Sequence, residues 1–216
     1  MEKIGEVLKG LNLREAINTL NSERKSKDKI YYSTVTDKSF KELNDEMTKE
    51  EIIRRIPSKF WVLNTDLDIE PYYNKNLFIS GPGGTGKTVL ACSLAKIYIK
   101  KNHQVKFVNY PKFILNIQKR FNGHHEESAY DFLNKNAHYP GYLIIDDIGA
   151  EKLTDFVRQT TYYLINEREM NELPLIITSN YGLEQLAEQI DDRIASRIAG
   201  MCEIVKFKGE DKRIKK

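Results

Sequence analysis

The sequence predicts an α/β fold: a three-layer α/β/α domain on a five-stranded parallel sheet, with a small helical region ahead of it. Two observations predict it. From Leu77 onward, short apolar runs alternate with segments of helical periodicity, the pattern of a parallel sheet covered by helices on both faces. One junction between run and helix is the glycine-rich Gly81-Pro82-Gly83-Gly84-Thr85-Gly86-Lys87-Thr88, and another run ends in the paired carboxylates Asp146-Asp147. At 216 residues, the chain holds one domain of about 150 residues plus an appendage.

In order along the chain, residues 1–55 read as a helical accessory region with a linker. Ile4, Val7, Leu8 and Leu11 form one apolar stripe, and Leu13, Ala16, Ile17 and Leu20 form another. At about 100° per residue these stripes would face opposite sides of a single helix, so a break at Gly10 and Asn12 makes two short helices. Asn12 with Glu15 caps the second. Asn21 to Lys29 is a polar linker, Lys38 to Arg55 is helix-like again, and Pro57 stops it. The domain proper is expected over residues 56–216. Its predicted strands are 77–80, 105–109, 142–146, 175–178 and 202–207. Its predicted helices are 89–100, 111–121, 126–136 and 154–170, punctuated by the Lys100-Lys101-Asn102-His103 turn, Asn122-Gly123 and Pro140-Gly141.

Composition excludes some classes. An apolar content of 40% with 30% charged residues is that of a soluble globular protein. No apolar run approaches the roughly 18 residues of a membrane span and no signal-type apolar region opens the chain, so a cytoplasmic location and no membrane partner are expected. Cys92 and Cys202 lack metal-ligand spacing and read as buried thiols. Residues 1–55 contain no cysteine, which excludes a cysteine-based zinc module there. A net charge of +3 is too small to name a partner.

Gly81 to Thr88 fits G-x-x-x-x-G-K-[ST] between a predicted strand and a predicted helix. That context aims several backbone N–H groups at one spot and adds about half a positive charge from the helix N-terminus, which together bind phosphate. Gly81, Pro82, Gly83, Gly84, Thr85, Gly86, Lys87 and Thr88 are the candidate nucleotide-binding residues. Lys87 is expected to reach the β- and γ-phosphates, and Thr88 to hold Mg²⁺. Tyr142-Leu143-Ile144-Ile145-Asp146-Asp147 is an apolar run ending in two acids, and ligand chemistry in such sheets sits at strand carboxyl ends. Asp146 suits the Mg²⁺ shell, and Asp147 suits the orientation or deprotonation of an attacking water. Asn180 ends the run Leu175-Ile176-Ile177-Thr178-Ser179 and could contact the γ-phosphate or that water. Arg193 and Arg197 lie one helical turn apart. Two readings are open: a solvated face paired locally with Asp191, Asp192 or Glu188, or a cation acting in trans on a neighbouring subunit's γ-phosphate.

These residues together resemble the AAA+ ATPases of the DnaC/IstB helicase-loader branch. The likeness rests on the phosphate loop 81–88, Leu143-Ile144-Ile145-Asp146-Asp147-Ile148-Gly149, Thr178-Ser179-Asn180 and Arg193-Ile194-Ala195-Ser196-Arg197-Ile198, over roughly residues 55–213. It implies a P-loop NTPase fold without a C-terminal lid domain, which agrees with only nineteen residues following Arg197. It also implies that Arg197 is the arginine finger and Asn180 is sensor 1, and it places Arg213 where some loaders carry sensor 2. Most AAA+ proteins have Glu at the place of Asp147, and the shorter side chain implies slow or partner-stimulated hydrolysis.

Between Val89 and His125 there is no Asp or Glu, while lysines and Arg120 alternate with Tyr98, Phe107, Tyr110, Phe113 and Phe121. Cations beside stacking rings are the composition of a single-strand-binding surface, although Phe107 on a strand reads as core. Lys112, Lys119 and Arg120 are the candidate DNA contacts, because the resemblance places the extra loader-type helices there. The expected function is ATP-dependent loading of a replicative hexameric helicase of DnaB type. It would use ATP and Mg²⁺, contact single-stranded DNA and assemble as an ATP-dependent homo-oligomer. The alternatives are an IstB-like transposition helper ATPase and a P-loop small-molecule kinase, which would need acceptor-binding arginines and no finger.

Overall fold

The computed structural model describes residues 48–61, 68–123 and 126–211. The expected helices within residues 1–20 and the sensor 2 position Arg213 lie outside the described residues. All five predicted strands form one parallel sheet in the order β2-β3-β4-β1-β5. They are β1 (Leu77–Ser80), β2 (Val105–Asn109), β3 (Tyr142–Ile148), β4 (Leu175–Ser179) and β5 (Glu203–Lys206). The chain leaves β1 for the far edge at β2, returns through β3 to β4 beside β1, and then crosses to β5 on the other side of β1. The strand order therefore reverses at β1, and a parallel sheet opens its ligand crevice at such a reversal.

Successive strand residues point to opposite faces, and both faces are covered. Phe78, Leu143, Ile145, Leu175 and Ile177 pack on one side. Five helices contribute core residues there: α3 (Tyr110–Asn122), α4 (Ala129–Ala137), α5 (Asp155–Met170), α6 (Leu183–Gln189) and α7 (Asp192–Met201). Leu77, Ile79, Tyr142, Ile144, Ile176 and Val205 pack on the other side under α2 (Lys87–Lys100). Ile52 and Ile56, from the helix α1 (48–55) and its end, join this second cluster. Arg55 reinforces the attachment by donating to the Val105 carbonyl (2.7 Å) and the Tyr139 hydroxyl (2.8 Å).

Side-chain caps set the helix starts. The α4 helix begins at Ala129, three residues later than periodicity predicts, because the Ser128 hydroxyl accepts from the Asp131 N–H (3.0 Å). Thr154 and Asp191 cap α5 and α7 in the same way. The sequence reading omitted α6 (Leu183–Gln189), a short helix with Leu186 buried and Gln185 accepting from the Gly182 N–H (3.2 Å). Seven residues between two polar stretches are too few for periodicity to register. Arg168, fully buried on α5, is also invisible to pattern reading. It donates to the carbonyls of Ala137, Tyr139, Gly141 and Pro174, tying the approach to β3 to the approach to β4. Burial lowers its pKa to about 10. Cys92 and Cys202 are buried free thiols, as expected. No described helix is long and apolar enough to cross a membrane.

Candidate functional site

The carboxyl ends of β1, β3 and β4 meet at one edge of the sheet: Ser80 pairs with Ser179, and Ile148 pairs with Ser179 from the other side. The loop from β1 to α2 runs through Gly81, Gly84 and Gly86 at φ of 144°, 74° and 111°, values that side chains disfavour. Thr85 closes the loop on itself by donating to the Pro82 carbonyl (2.9 Å). Lys87 is buried with its ammonium directed back into the loop, donating to the carbonyls of Gly81 and Pro82 (2.7 Å each) and to Asn180 Oδ1 (2.8 Å).

Asn180 is the link to the acids, because its Nδ2 donates to Asp147 Oδ1 at 2.9 Å. Thr88 donates to Asp146 Oδ1 at 2.8 Å, and Thr178 donates to the same oxygen at 2.8 Å. The Thr178 hydroxyl also accepts from the Asp147 N–H (2.9 Å). Between Ile145 and Ile148 the β3–β4 ladder slips, and Asp147 takes a left-handed conformation with φ of 66°. The irregularity turns the second acid away from the regular strand register. Asp146 is buried, which raises its pKa above the ordinary carboxylate value; the bonds from Thr88 and Thr178 oppose that rise.

Lys87, Thr88, Asp146, Asp147 and Asn180 thus come together in one hydrogen-bonded group, and the sequence reading missed two of its supports. Thr178 enters the sequence reading only within the Thr178-Ser179-Asn180 motif, and the signal for it is a hydroxyl two residues before Asn180 on the same strand end. Glu151 accepts from the Gly149 N–H (3.3 Å) just past the acids, and its Oε2 is buried with no hydrogen-bond partner among the described residues. Burial pushes this carboxyl up, and the neighbouring Asp147 adds to the shift. No simple sequence signal marks Glu151.

Arg193 and Arg197 stand apart from this group, on α7. Arg193 makes the expected local pair, donating to both oxygens of Asp191 (3.0 and 2.9 Å). Arg197 instead pairs with Glu169 on α5 and donates to the Tyr162 hydroxyl (3.0 Å), neither of which was among its expected partners. These two bonds hold its pKa above the usual guanidinium value, with the Tyr162 contribution the larger.

On α3, Lys112 and Lys119 are exposed and share a face with the exposed Leu115. Arg120 differs: its guanidinium stacks on the Phe132 ring at 3.9 Å, pairs with Glu127 at 3.5 Å and donates to the Asn116 carbonyl (3.0 Å).

The donor set beside the loop fits Mg²⁺, since a threonine hydroxyl and a carboxylate are hard oxygen ligands. Among the described residues no cluster of three His, Cys, Asp or Glu could cage a metal by itself, so phosphate oxygens and water would complete the shell.

Residues 69–216 match the family model described as IstB-like ATP binding protein. The replicative helicase loader DnaI of Bacillus subtilis is 25% identical over 175 residues, covering 73% of this chain and 55% of DnaI. An ATP-binding protein of insertion sequence IS21 from Pseudomonas aeruginosa is 26% identical over 147 residues, covering 66% of this chain and 54% of the relative. The chain thus spans about half the length of the curated relatives it matches. The crystal structure of the DnaC helicase loader superposes with a TM-score of 0.54 at 24% identity, covering 77% of this chain and 89% of that one, a likeness of fold. With the phosphate loop, the strand-end acids and more than half of its length inside the match, the chain belongs to the IstB-like ATP-binding protein family, on a P-loop AAA+ fold.

Proposed function

We propose that this protein is an ATP-controlled loader of a DnaB-type replicative helicase, acting in the cytoplasm. The observation that carries the reading is the bonded group running from Thr88 and Lys87 through Asn180 and Thr178 to Asp146 and Asp147. It sets a phosphate-binding loop against two acids and a polar sensor, the parts ATP hydrolysis needs. The loop N–H groups and Lys87 bind the β- and γ-phosphates, Lys87 exchanging carbonyl acceptors for phosphate oxygens. Thr88 and Asp146 would hold Mg²⁺, which neutralises phosphate charge. Asp147 accepts the proton of the attacking water as the bond between the γ-phosphorus and the bridging oxygen breaks, and Asn180 orients that water. Arg197 acts in trans within a homo-oligomer. Exposed Lys112 and Lys119 contact single-stranded DNA, and the apolar stripes of residues 2–21 grip the helicase in the helix-in-groove manner.

The loader names of the DnaI and DnaC relatives support this reading over the others. The family description and the IS21 relative favour a second one, an ATP-binding helper of a transposase on duplex DNA. The deciding experiment presents the purified chain with ATP to the replicative helicase and to an IS21-type transposase of the same source. ATP-dependent capture of helicase is expected. Capture of the transposase alone would overturn the loader reading.

A further inference from the structure

The chain's return past the nucleotide loop offers one more functional residue. As β5 ends, the Phe207 N–H donates to the Ser80 carbonyl (2.7 Å), so the segment after β5 starts hydrogen-bonded to the residue before the loop. It then runs against the loop glycines. A Cβ at Gly81 would collide with the Phe207 backbone, and one at Gly86 would touch the Phe207 ring at 3.7 Å. Gly209, at φ of 121°, turns the chain, and Asp211 comes to lie against Gly84, its carboxylate occupying the space that a Gly84 side chain would take. The loop glycines therefore make room for the segment 207–211 as well as for a left-handed backbone.

We propose that Asp211 is an affinity-determining residue of the nucleotide site, a carboxylate held against the phosphate loop that competes with nucleotide phosphate. The physical basis is charge. The loop and the start of α2 concentrate N–H groups and positive helix-end potential, which attract any anion. An aspartate lodged there satisfies that potential in part and repels a polyphosphate arriving at the same place. Nucleotide must displace the carboxylate or bind beside it at a cost. This inference rests on the assignment of residues 81–88 as the nucleotide loop and adds a residue outside that motif.

The test is equilibrium titration of wild type, Asp211→Ala, Asp211→Asn and Lys87→Ala with a fluorescent ATP analogue. Sodium tripolyphosphate, which carries no base or ribose, serves as the competitor, and melting curves check the fold. Asp211→Ala and Asp211→Asn are expected to tighten both ATP and tripolyphosphate by about tenfold, the size of one partly screened charge contact. Asn matches Asp in shape, so a gain in both variants isolates the charge. Affinities within twofold of wild type, or weaker, would overturn the proposal, because Asp211 would then be inert or a support of the loop. A gain for ATP without one for tripolyphosphate would also overturn it, since the conflict would lie with ribose or base. If neither wild type nor the Asp211 variants bind and Lys87→Ala is no different, the loop assignment itself has failed. Binding by the Asp211 variants alone would be the strongest support.

Discussion

The strand-end site and the outer face of α3 are both polar, and they are built on opposite principles. At the strand ends each functional side chain is tied to another from a distant part of the chain: Thr88 to Asp146 across 58 residues, Lys87 to Asn180 across 93 and Thr178 to Asp146 across 32. Such ties hold geometry before any ligand arrives, which is what electrostatic catalysis requires. On α3, Lys112 and Lys119 are exposed, and Arg120, one residue on, is drawn into packing against Phe132 and Glu127. A surface of exposed cations suits a charged backbone of variable path and needs no fixed geometry. Interlocked polar groups therefore mark chemistry, whereas basic composition marks only an opportunity for binding.

Arg197 is the strongest challenge to that contrast, because it is assigned to chemistry yet lies outside the interlocked group. Arg197→Ala is expected to leave ATP binding by the monomer intact while lowering turnover of the assembled protein by about 10³ or more, the range of a trans-acting arginine. Mixing it with Lys87→Ala should restore part of the turnover, since one composite site then carries both groups. A mixture as inactive as either parent, with co-assembly verified by light scattering, would assign Arg197 to its contacts with Glu169 and Tyr162 alone. Within the interlocked group the effects are direct. Lys87→Ala should weaken ATP by about a hundredfold, because the loop loses a charge-assisted donor in a buried setting. Asp147→Asn should keep binding and lose turnover, since Asn preserves the shape and the bond to Asn180 without a base. Unchanged steady-state hydrolysis by Asp147→Asn would remove that assignment.

The same contrast explains what the sequence made legible. Strand β1 is found at Leu77–Ser80, the predicted span, because a fully buried strand is a short apolar run between turn residues. The edge strand β2, buried only at Val105, is also found at its predicted span, Val105–Asn109. The loop and the acids were readable because phosphate chemistry dictates residue types at fixed spacing. The positive φ of Asp147 and the hydroxyl hub at Thr178 were not, since both depend on the slip between β3 and β4. The pairing of Arg197 with Glu169 depends on how α5 and α7 cross, which no local spacing encodes. Charge alone makes Arg120 a candidate DNA contact in the sequence, and its packing against Phe132 and its pairing with Glu127 are not visible there.

Pre-organisation should also carry a measurable stability cost, and Asp146 is the place to find it. Burial raises its folded pKa, so the ionised carboxylate disfavours the folded state. Below the ordinary carboxylate value of 3.8 the group is protonated in both states and costs nothing. As pH rises through that value the unfolded chain ionises first, and stability falls until the raised folded pKa is passed. Asp146→Asn retains an oxygen for Thr88 and Thr178 and escapes ionisation. It should melt higher than wild type at pH 7, by a few degrees, with the difference vanishing near pH 3. A gain that is the same at both pH values would mean that charge is not its origin.

The smallest expected effect separates the two kinds of cation on α3. Each lysine that neutralises a phosphate releases a counterion, so removing one changes the slope of log affinity against log salt by about 0.7 for single strands. Lys112→Ala with Lys119→Ala should therefore flatten the slope by about 1.4 and leave melting unchanged, because both side chains are exposed. Arg120→Ala should do the reverse. Its guanidinium covers the Phe132 ring and pairs with Glu127, and losing those contacts should cost about 1 kcal/mol of stability. Its salt slope should stay near that of wild type, because a cation already paired with a carboxylate releases few counterions on binding DNA. If Arg120→Ala flattens the slope as much as one lysine does, the arginine leaves Glu127 for phosphate, and the packed cation belongs to the DNA surface after all. If the double-lysine variant keeps both affinity and slope, single-stranded DNA lies elsewhere on the molecule, and the exposed face of α3 is only solvated.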